Sequence, residues 1–140
     1  MPSVTKNFVP VLALVALAGC GGGSLGGGGG QGGAKDEDAV RSVVADLQAA
    51  SRAGDGNQIC NRIFTPKLAD SVTSASKSGS CAKEVKKNLF SPQVRIVVED
   101  VEVADPANAT ATVKEKTGKT SKVSFVKQGG EWRIRSVQAR

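Results

Sequence analysis

The side chains of this chain that could perform acid–base chemistry are its carboxylates, because the 140 residues include no histidine and no tyrosine. Asp46 lies between the apolar residues Val43 and Leu47, at the edge of a predicted buried helical stripe. Glu99 and Asp100 lie where an alternating apolar pattern changes face, so one of them could point inward. The spacing supplies neither position with a partner base or nucleophile. The sequence therefore predicts no catalytic residue. It predicts a solvated helix residue at Asp46 and turn carboxylates bonded to nearby backbone amides at Glu99 and Asp100, with a place in a pocket as the alternative.

Two further features concern the single tryptophan and metal binding. Trp132 is interpreted as a core residue, with a stacking platform in a pocket as the alternative. A metal site is not expected, since histidine is absent and the cysteines lack partner ligands. No cofactor is predicted.

The first of the three cysteines, Cys20, ends the segment Leu17-Ala18-Gly19-Cys20. This segment resembles the bacterial lipobox, in which a diacylglyceryl group is attached to the cysteine thiol and the chain is cleaved before it. It follows Lys6 and the apolar run 8–18, which is too short to cross about 30 Å of hydrocarbon and is typical of a signal peptide. The resemblance implies a signal peptide over 1–19 and acyl chains such as palmitate on Cys20. It predicts a lipoprotein on the extracytoplasmic face of a cell membrane; an ordinary secretory peptide or an uncleaved anchor are the alternatives.

A glycine-rich stretch follows the lipobox and predicts a tether over residues 20–35, with one domain over 36–140. The run 21–33 contains one apolar side chain and cannot bury a core. A coil of that length spans roughly 20 Å. A phosphate-binding loop is a poor interpretation, because no strand precedes the glycines and no Gly-Lys-Ser/Thr closes them.

The other two cysteines predict a disulfide. Assigning Cys20 to the lipid leaves Cys60 and Cys81, and export implies an oxidising compartment. Closing the loop between them would stabilise a small domain by about 3 kcal/mol.

The positive charge of the chain is concentrated near its C-terminus. Residues 36–113 carry nine basic and eleven acidic groups, whereas 114–140 carry eight basic and two acidic groups. Alternation along the predicted strands places four of these basic residues outward: Lys114, Lys116, Arg133 and Arg135. They predict either a solvated face or contact with an anionic partner such as lipid headgroups or an acidic polymer. Nucleic acid is not expected, since no stacking aromatics are interleaved with them.

The periodicity predicts helices first and strands afterwards. A long helix starts at Asp36-Glu37-Asp38 and stops at Gly54, and short helices follow Asp55, Thr65 and Ser80. The long helix buries Val40, Val43, Val44, Leu47 and Ala50, and the last one directs Cys81, Val85 and Leu89 inward, with Lys83, Lys86 and Lys87 outward.

From Pro92 onward the period becomes two. The first strand should contain a bulge or bend near Glu99-Asp100, and turns follow at 105–108, 117–118 and 128–130. The later strands direct Ala109, Ala111, Val113, Val123, Phe125, Trp132 and Ile134 inward. The fold class is therefore α+β, with helices on one face of a curved antiparallel four-stranded sheet.

This order of elements, closed by Gly129-Gly130-Glu131-Trp132-Arg133-Ile134, resembles the nuclear transport factor 2-like (NTF2-like) superfamily, which includes SnoaL-like cyclases and ketosteroid isomerase. Small lipoproteins of the superfamily from high-GC bacteria share the Gly-Asp-Gly at 54–56. The resemblance covers about residues 36–140 and implies a cone-shaped domain, often dimeric through the open face of its sheet. Its enzymes carry Asp, His or Tyr inside the cone, and this chain departs from them by lacking both His and Tyr.

Three classes of function stay open at this point. The favoured hypothesis is a non-catalytic surface domain that binds a protein partner or a small apolar ligand inside the cone, with Asp46, Glu99 and Trp132 as candidate pocket residues. A structural accessory domain without a ligand is the second, and an isomerase, cyclase or hydrolase is the third. An open apolar cavity would favour the first, a filled cone the second, and a buried carboxyl the third.

Overall fold

The structure is a computed structural model that describes residues 32–90 and 92–139. Its helices precede its strands, as the sequence predicts. The elements are α1 (Gly32–Ala53), α2 (Gly56–Gln58), α3 (Pro66–Ala75), α4 (Cys81–Glu84), β1 (Ile96–Asp105), β2 (Asn108–Glu115), β3 (Thr120–Gln128) and β4 (Glu131–Ala139). The strands form one antiparallel sheet in the order β1-β2-β3-β4. The predicted α+β class and four-stranded sheet are confirmed. Cys20 and the predicted signal peptide lie outside the described residues.

Helix α1 packs one apolar stripe against the sheet. Val40, Val44, Leu47 and Ala50 are buried and Val43 is partly buried, in agreement with the predicted period of 3.6 residues. The helix starts at Gly32, four residues before the predicted start at Asp36, so the acidic residues lie in its second turn. Among the described residues, no helix has the length and apolarity that a membrane crossing requires.

The Gly-Asp-Gly sequence makes the turn that follows α1. Gly54 has a φ of 66°, the left-handed conformation in which glycine commonly ends a helix. The Asp55 side chain then accepts a hydrogen bond of 2.9 Å from the backbone N–H of Gln58, which caps α2. Gly56 lies against the backbone of Ala82, and a Cβ atom at Gly56 would come within 2.9 Å of the Ala82 Cα. The glycine therefore permits close packing of α2 on α4.

Two π-helical turns shape the short helices. Helix α2 continues into a wide turn over Ile59–Ile63, and α4 continues into another over Val85–Leu89. Each is closed by an N–H···O bond of 2.8 Å spanning five residues, from Phe64 to Ile59 and from Phe90 to Val85. Each turn thereby directs a phenylalanine toward the interior. The Phe64 and Phe90 rings pack edge to face, with their centres 6.2 Å apart.

The prediction that Leu89 points inward is wrong. Leu89 is 46% exposed, whereas Cys81 and Val85 are buried as predicted. The extra residue in the π-helical turn rotates Leu89 out of the buried stripe, and Phe90 takes the inward position. A sequence pattern with a fixed period of 3.6 cannot anticipate this rotation.

The disulfide between Cys60 and Cys81 is present, with the two Cα atoms 6.2 Å apart, as the sequence predicts. It links the turn after α2 to the first residue of α4. Both cysteines are buried, so the bond lies within the apolar layer under the helices.

The sheet contains the predicted irregularity and two that were not predicted, one of them a register shift of β1 against β2 between Val103 and Asp105. The register of β1 against β2 shifts between Val98 and Asp100, which confirms the expected bulge at Glu99. A second bulge at Arg135 in β4 places Val137 rather than Ser136 on the inner side, opposite Val123. The final turn uses Gly129 and Gly130, both with positive φ, as a tight hairpin requires.

The core lies between the helices and the concave face of the sheet. Phe64, Phe125 and Ile134 are fully or almost fully buried, and Phe64 forms an isolated parallel bridge with Ile134. Among the described residues, no buried polar side-chain atom lacks a hydrogen-bond partner. The predicted inward positions on β2 and β3 are all buried.

Candidate functional site

An open groove of about 860 Å³ lies between α1, the π-helical turn 59–63 and the beginning of β4. Its lining is mostly polar or charged: Ala39, Ser42, Val43, Asp46, Gln58, Asn61, Arg62, Ile63, Gly130, Glu131, Trp132 and Arg133. A volume of this size falls within the range of ligand pockets in proteins. The groove is the candidate site.

Arg133 is the most firmly positioned cation in this groove. Its guanidinium donates a hydrogen bond of 3.0 Å to the backbone carbonyl of Asn61 and lies 3.6 Å from the carboxylate of Glu131. The Arg133 side chain is 22% exposed and the Glu131 side chain is 74% exposed. Since a guanidinium has five N–H donors in a planar fork, donors remain for a carboxylate or phosphate of a ligand.

Asp46 and Trp132 both line this groove, so the structure brings together two of the three predicted pocket residues. Asp46 is exposed at the groove edge, and Trp132 is buried with 5% of its surface accessible. The exposure of Asp46 leaves it without the burial that a general-base carboxyl needs. Its position suits hydrogen bonding to a ligand.

Asp36 fixes the position of Trp132 in the groove lining, a role that sequence reasoning missed. One of its carboxylate oxygens, Oδ1, accepts hydrogen bonds from Lys127 Nζ at 2.8 Å and from Trp132 Nε1 at 3.1 Å. Lys127 also lies 5.5 Å from the centre of the Trp132 ring. The bond from Lys127, followed by that from Trp132, lowers the pKa of Asp36 below its ordinary value. The only available signal was the acidic cluster at 36–38, which was interpreted as a helix start.

Glu99, the third predicted pocket residue, lies away from the groove. It is exposed at the β1 bulge and forms an ion pair of 3.7 Å with Lys114 on the adjacent strand. Asp100 beside it is also exposed. The bulge that changes the face of the strand directs neither carboxylate into the core.

The four basic residues proposed for anionic contact do not form one cluster. Arg133 pairs with Val126 of β3, which in turn pairs with Asn108 at the beginning of β2, and Arg135 donates to the Asn108 side chain at 3.3 Å. Lys114 is six residues further along β2, roughly 20 Å away at the usual strand rise, and Lys116 follows it. The sheet therefore separates them into two pairs.

The interior of the cone has little free space. The cavity between α1 and the concave face of the sheet measures about 40 Å³ and is bordered by Leu47, Phe90, Val113, Ile134 and Val137, among others. This holds no more than a few water molecules. An apolar ligand inside the cone, expected from the sequence, has no room in this structure.

Among residues 32–90 and 92–139, no group of three or more His, Cys, Asp or Glu side chains is arranged to hold a metal ion. The two cysteines in these ranges are joined to each other.

No family model matches the chain, and no curated protein matches it. Two solved structures are similar to it. One is an NTF2-like protein of unknown function from Shewanella baltica OS155, with a TM-score of 0.52 and 14% identity over 76% of this chain and 94% of that one. The other, an NTF2-like protein of unknown function from Silicibacter pomeroyi DSS-3, has a TM-score of 0.52 and 16% identity over 76% of this chain and 98% of that one. The chain therefore has the NTF2-like fold that its sequence predicts.

Proposed function

We propose that this protein is a lipoprotein, anchored through Cys20 on the extracytoplasmic face of a membrane, whose NTF2-like domain binds a small anionic ligand without catalysis. The observation that carries the binding role is Arg133, which Asn61 holds at the edge of an open groove of about 860 Å³.

The polar groove favours a small polar ligand, whereas the sequence alone favours an apolar one. Arg62 and Arg133 line it together with Asp46, Gln58 and Asn61, so a ligand would exchange hydrogen bonds with side chains of both charge signs. The apolar cavity inside the cone, by contrast, measures only about 40 Å³. A small polar molecule with a carboxylate or phosphate group fits this lining best.

The lining carboxylates support binding rather than catalysis. Asp46 and Glu131 are both exposed, and Glu131 is already paired with Arg133. A hydrated carboxylate is a weak general base, whereas it readily accepts hydrogen bonds from a ligand.

The binding role is tested by native mass spectrometry of the full chain purified without denaturant. The wild-type protein should retain a small molecule, and Arg133→Gln should lose it because the positioned guanidinium is gone. Arg135→Gln is the matched control, since it removes the same charge from the same strand outside the groove lining. Equal retention by both variants, or a bare wild-type protein across all preparations, would count against the groove as a ligand site.

A further inference from the structure

A second groove, of about 790 Å³, is strongly basic. It runs between the end of α3 and the segment formed by α4 with its π-helical turn. Its lining includes four exposed lysines, Lys77, Lys83, Lys86 and Lys87. All four line this one groove, and Lys86 and Lys87 lie in the π-helical turn.

The positive charge of this groove is poorly compensated. Among the described residues, none of the ion pairs within 4.0 Å involves these lysines. Glu84 is the one acidic residue in the lining, and its carboxylate accepts a hydrogen bond of 2.8 Å from Asn88. Like charges that line one groove repel each other, and an anionic surface would relieve that repulsion.

Lys86 also has a structural role in the free protein. Its side chain lies over Gly54, 3.2 Å from where a Cβ atom would be, and so close to the C-terminal end of α1. A lysine there is favoured by the partial negative charge of the helix end. The other three lysines have no comparable partner in the described residues.

An exposed leucine directly follows the last groove-lining residue, Asn88, in the chain. Leu89 is 46% exposed directly after Lys86, Lys87 and Asn88, because the π-helical turn rotates it outward. Lysines around an exposed leucine are the combination by which surface helices bind anionic membranes, with the cations at the headgroups and the apolar side chain below them.

We propose that Lys77, Lys83, Lys86, Lys87 and Leu89 form a lysine–leucine surface that binds anionic phospholipid headgroups. The inference rests on the proposed membrane anchoring, and it adds a second point of contact. A lipid surface is favoured over a soluble acidic polymer because Leu89 gains an apolar environment only in the lipid.

The two contacts would orient the domain. The segment from Cys20 enters α1 at Gly32, whereas α4 packs beside the turn that follows the other end of α1. The 22 residues of α1 span roughly 33 Å. The lysine–leucine surface would hold the far end of α1 at the bilayer, while the tether keeps its first end within roughly 20 Å of the anchor.

The experiment uses the full chain with Cys20→Ser, which removes lipid attachment, and measures sedimentation with phosphatidylglycerol vesicles and with neutral phosphatidylcholine vesicles. Binding to the neutral vesicles measures what the apolar run 8–18 contributes without any charge attraction. Binding should be stronger to the anionic vesicles and should decline with salt, because the Debye length shortens from about 10 Å at 0.1 M to about 3 Å at 1 M. Each lysine should contribute about fivefold to the partition coefficient.

Two charge-matched variants decide whether this surface is responsible. Replacing Lys77, Lys83, Lys86 and Lys87 by Gln should abolish the preference for anionic vesicles, while replacing the exposed residues Lys35, Arg41, Lys67 and Lys119 by Gln should preserve most of it. Leu89→Ser should weaken binding at every salt concentration, since its contribution is apolar. Circular dichroism checks that each variant is folded, and Lys77→Gln with Lys87→Gln replaces the fourfold variant if that one unfolds.

Three results would overturn the proposal: equal losses in both charge variants, no preference of the parent chain for anionic vesicles, or binding to soluble polyphosphate without binding to vesicles. None of them bears on lipid attachment at Cys20, which is measured separately, so failure here is distinguishable from failure of the anchor.

Discussion

At the scale of single residues, the groove depends on side chains that connect distant parts of the chain. Asp36 joins the beginning of α1 to Lys127 and Trp132 in the last hairpin, and Arg133 joins β4 to the carbonyl of Asn61. These contacts fix the two walls of the groove relative to each other. Neither could be predicted from spacing, because the partners are more than 70 residues apart in the sequence.

Asp36→Asn should destabilise the domain by removing the charge that Lys127 contacts. Because the pKa of Asp36 is lowered in the folded protein, its contribution is complete above the unfolded-state pKa, near 3.8, and disappears as the pH falls through the folded-state value. The difference in unfolding free energy between wild type and variant should therefore be constant near neutral pH and shrink below about pH 4. Urea titrations across pH measure it. Asp38→Asn, an exposed change on the same helix, serves as the control, and an equal pH profile for both variants would contradict the assignment.

Gly56→Ala should be more damaging than its size suggests. The added methyl group would collide with the backbone of Ala82, which cannot move aside as a flexible side chain could. The expected loss is about 1–3 kcal/mol, the usual cost of overpacking. Gly33→Ala is the matched control, since nothing lies within 4 Å of a Cβ atom there and alanine favours the helix. Thermal unfolding that is unchanged in Gly56→Ala would show that the two helices can separate without cost.

At the scale of elements, the regular segments and the β1 bulge are predictable from the sequence, whereas the π-helical turns are not. The stripe of α1 was predicted because Val40, Val44 and Leu47 follow a constant period. The β1 bulge was also predictable, since an apolar pattern that changes face needs an extra residue. The π-helical turns leave no comparable trace in the sequence, so the constant period wrongly predicts an inward Leu89 and does not predict the inward position of Phe90.

The disulfide is the element-scale constraint that links the π-helical turn after α2 to α4. Cys60→Ser or Cys81→Ser should each lower the free energy of unfolding by about 3 kcal/mol, because the loop of 21 residues is no longer closed in the unfolded chain. The double variant should cost about the same as either single variant, since one bond is lost in every case. Additive losses, or thiols that titrate in wild-type protein isolated without reductant, would rule out the bond.

At the scale of the whole molecule, the candidate site lies on the outside of the cone. The apolar side chains that would line an internal cavity instead fill it, which leaves about 40 Å³. The open polar groove lies beside α1, and the basic groove lies between α3 and α4. Composition and topology predicted the fold, but they could not tell a filled cone from an open one, because that depends on how the two phenylalanine side chains pack.

The central claim is that this domain is displayed on a membrane by a lipid on Cys20, and the intact mass of the protein extracted from membranes tests it most directly. A chain that begins at Cys20 and carries a diacylglyceryl group is the predicted result, together with loss of Cys20→Ser from the membrane fraction. Cys60→Ser should stay in that fraction, since its thiol is in the disulfide. A mass that retains residues 1–19, or one that corresponds to an unmodified Cys20, would contradict the account.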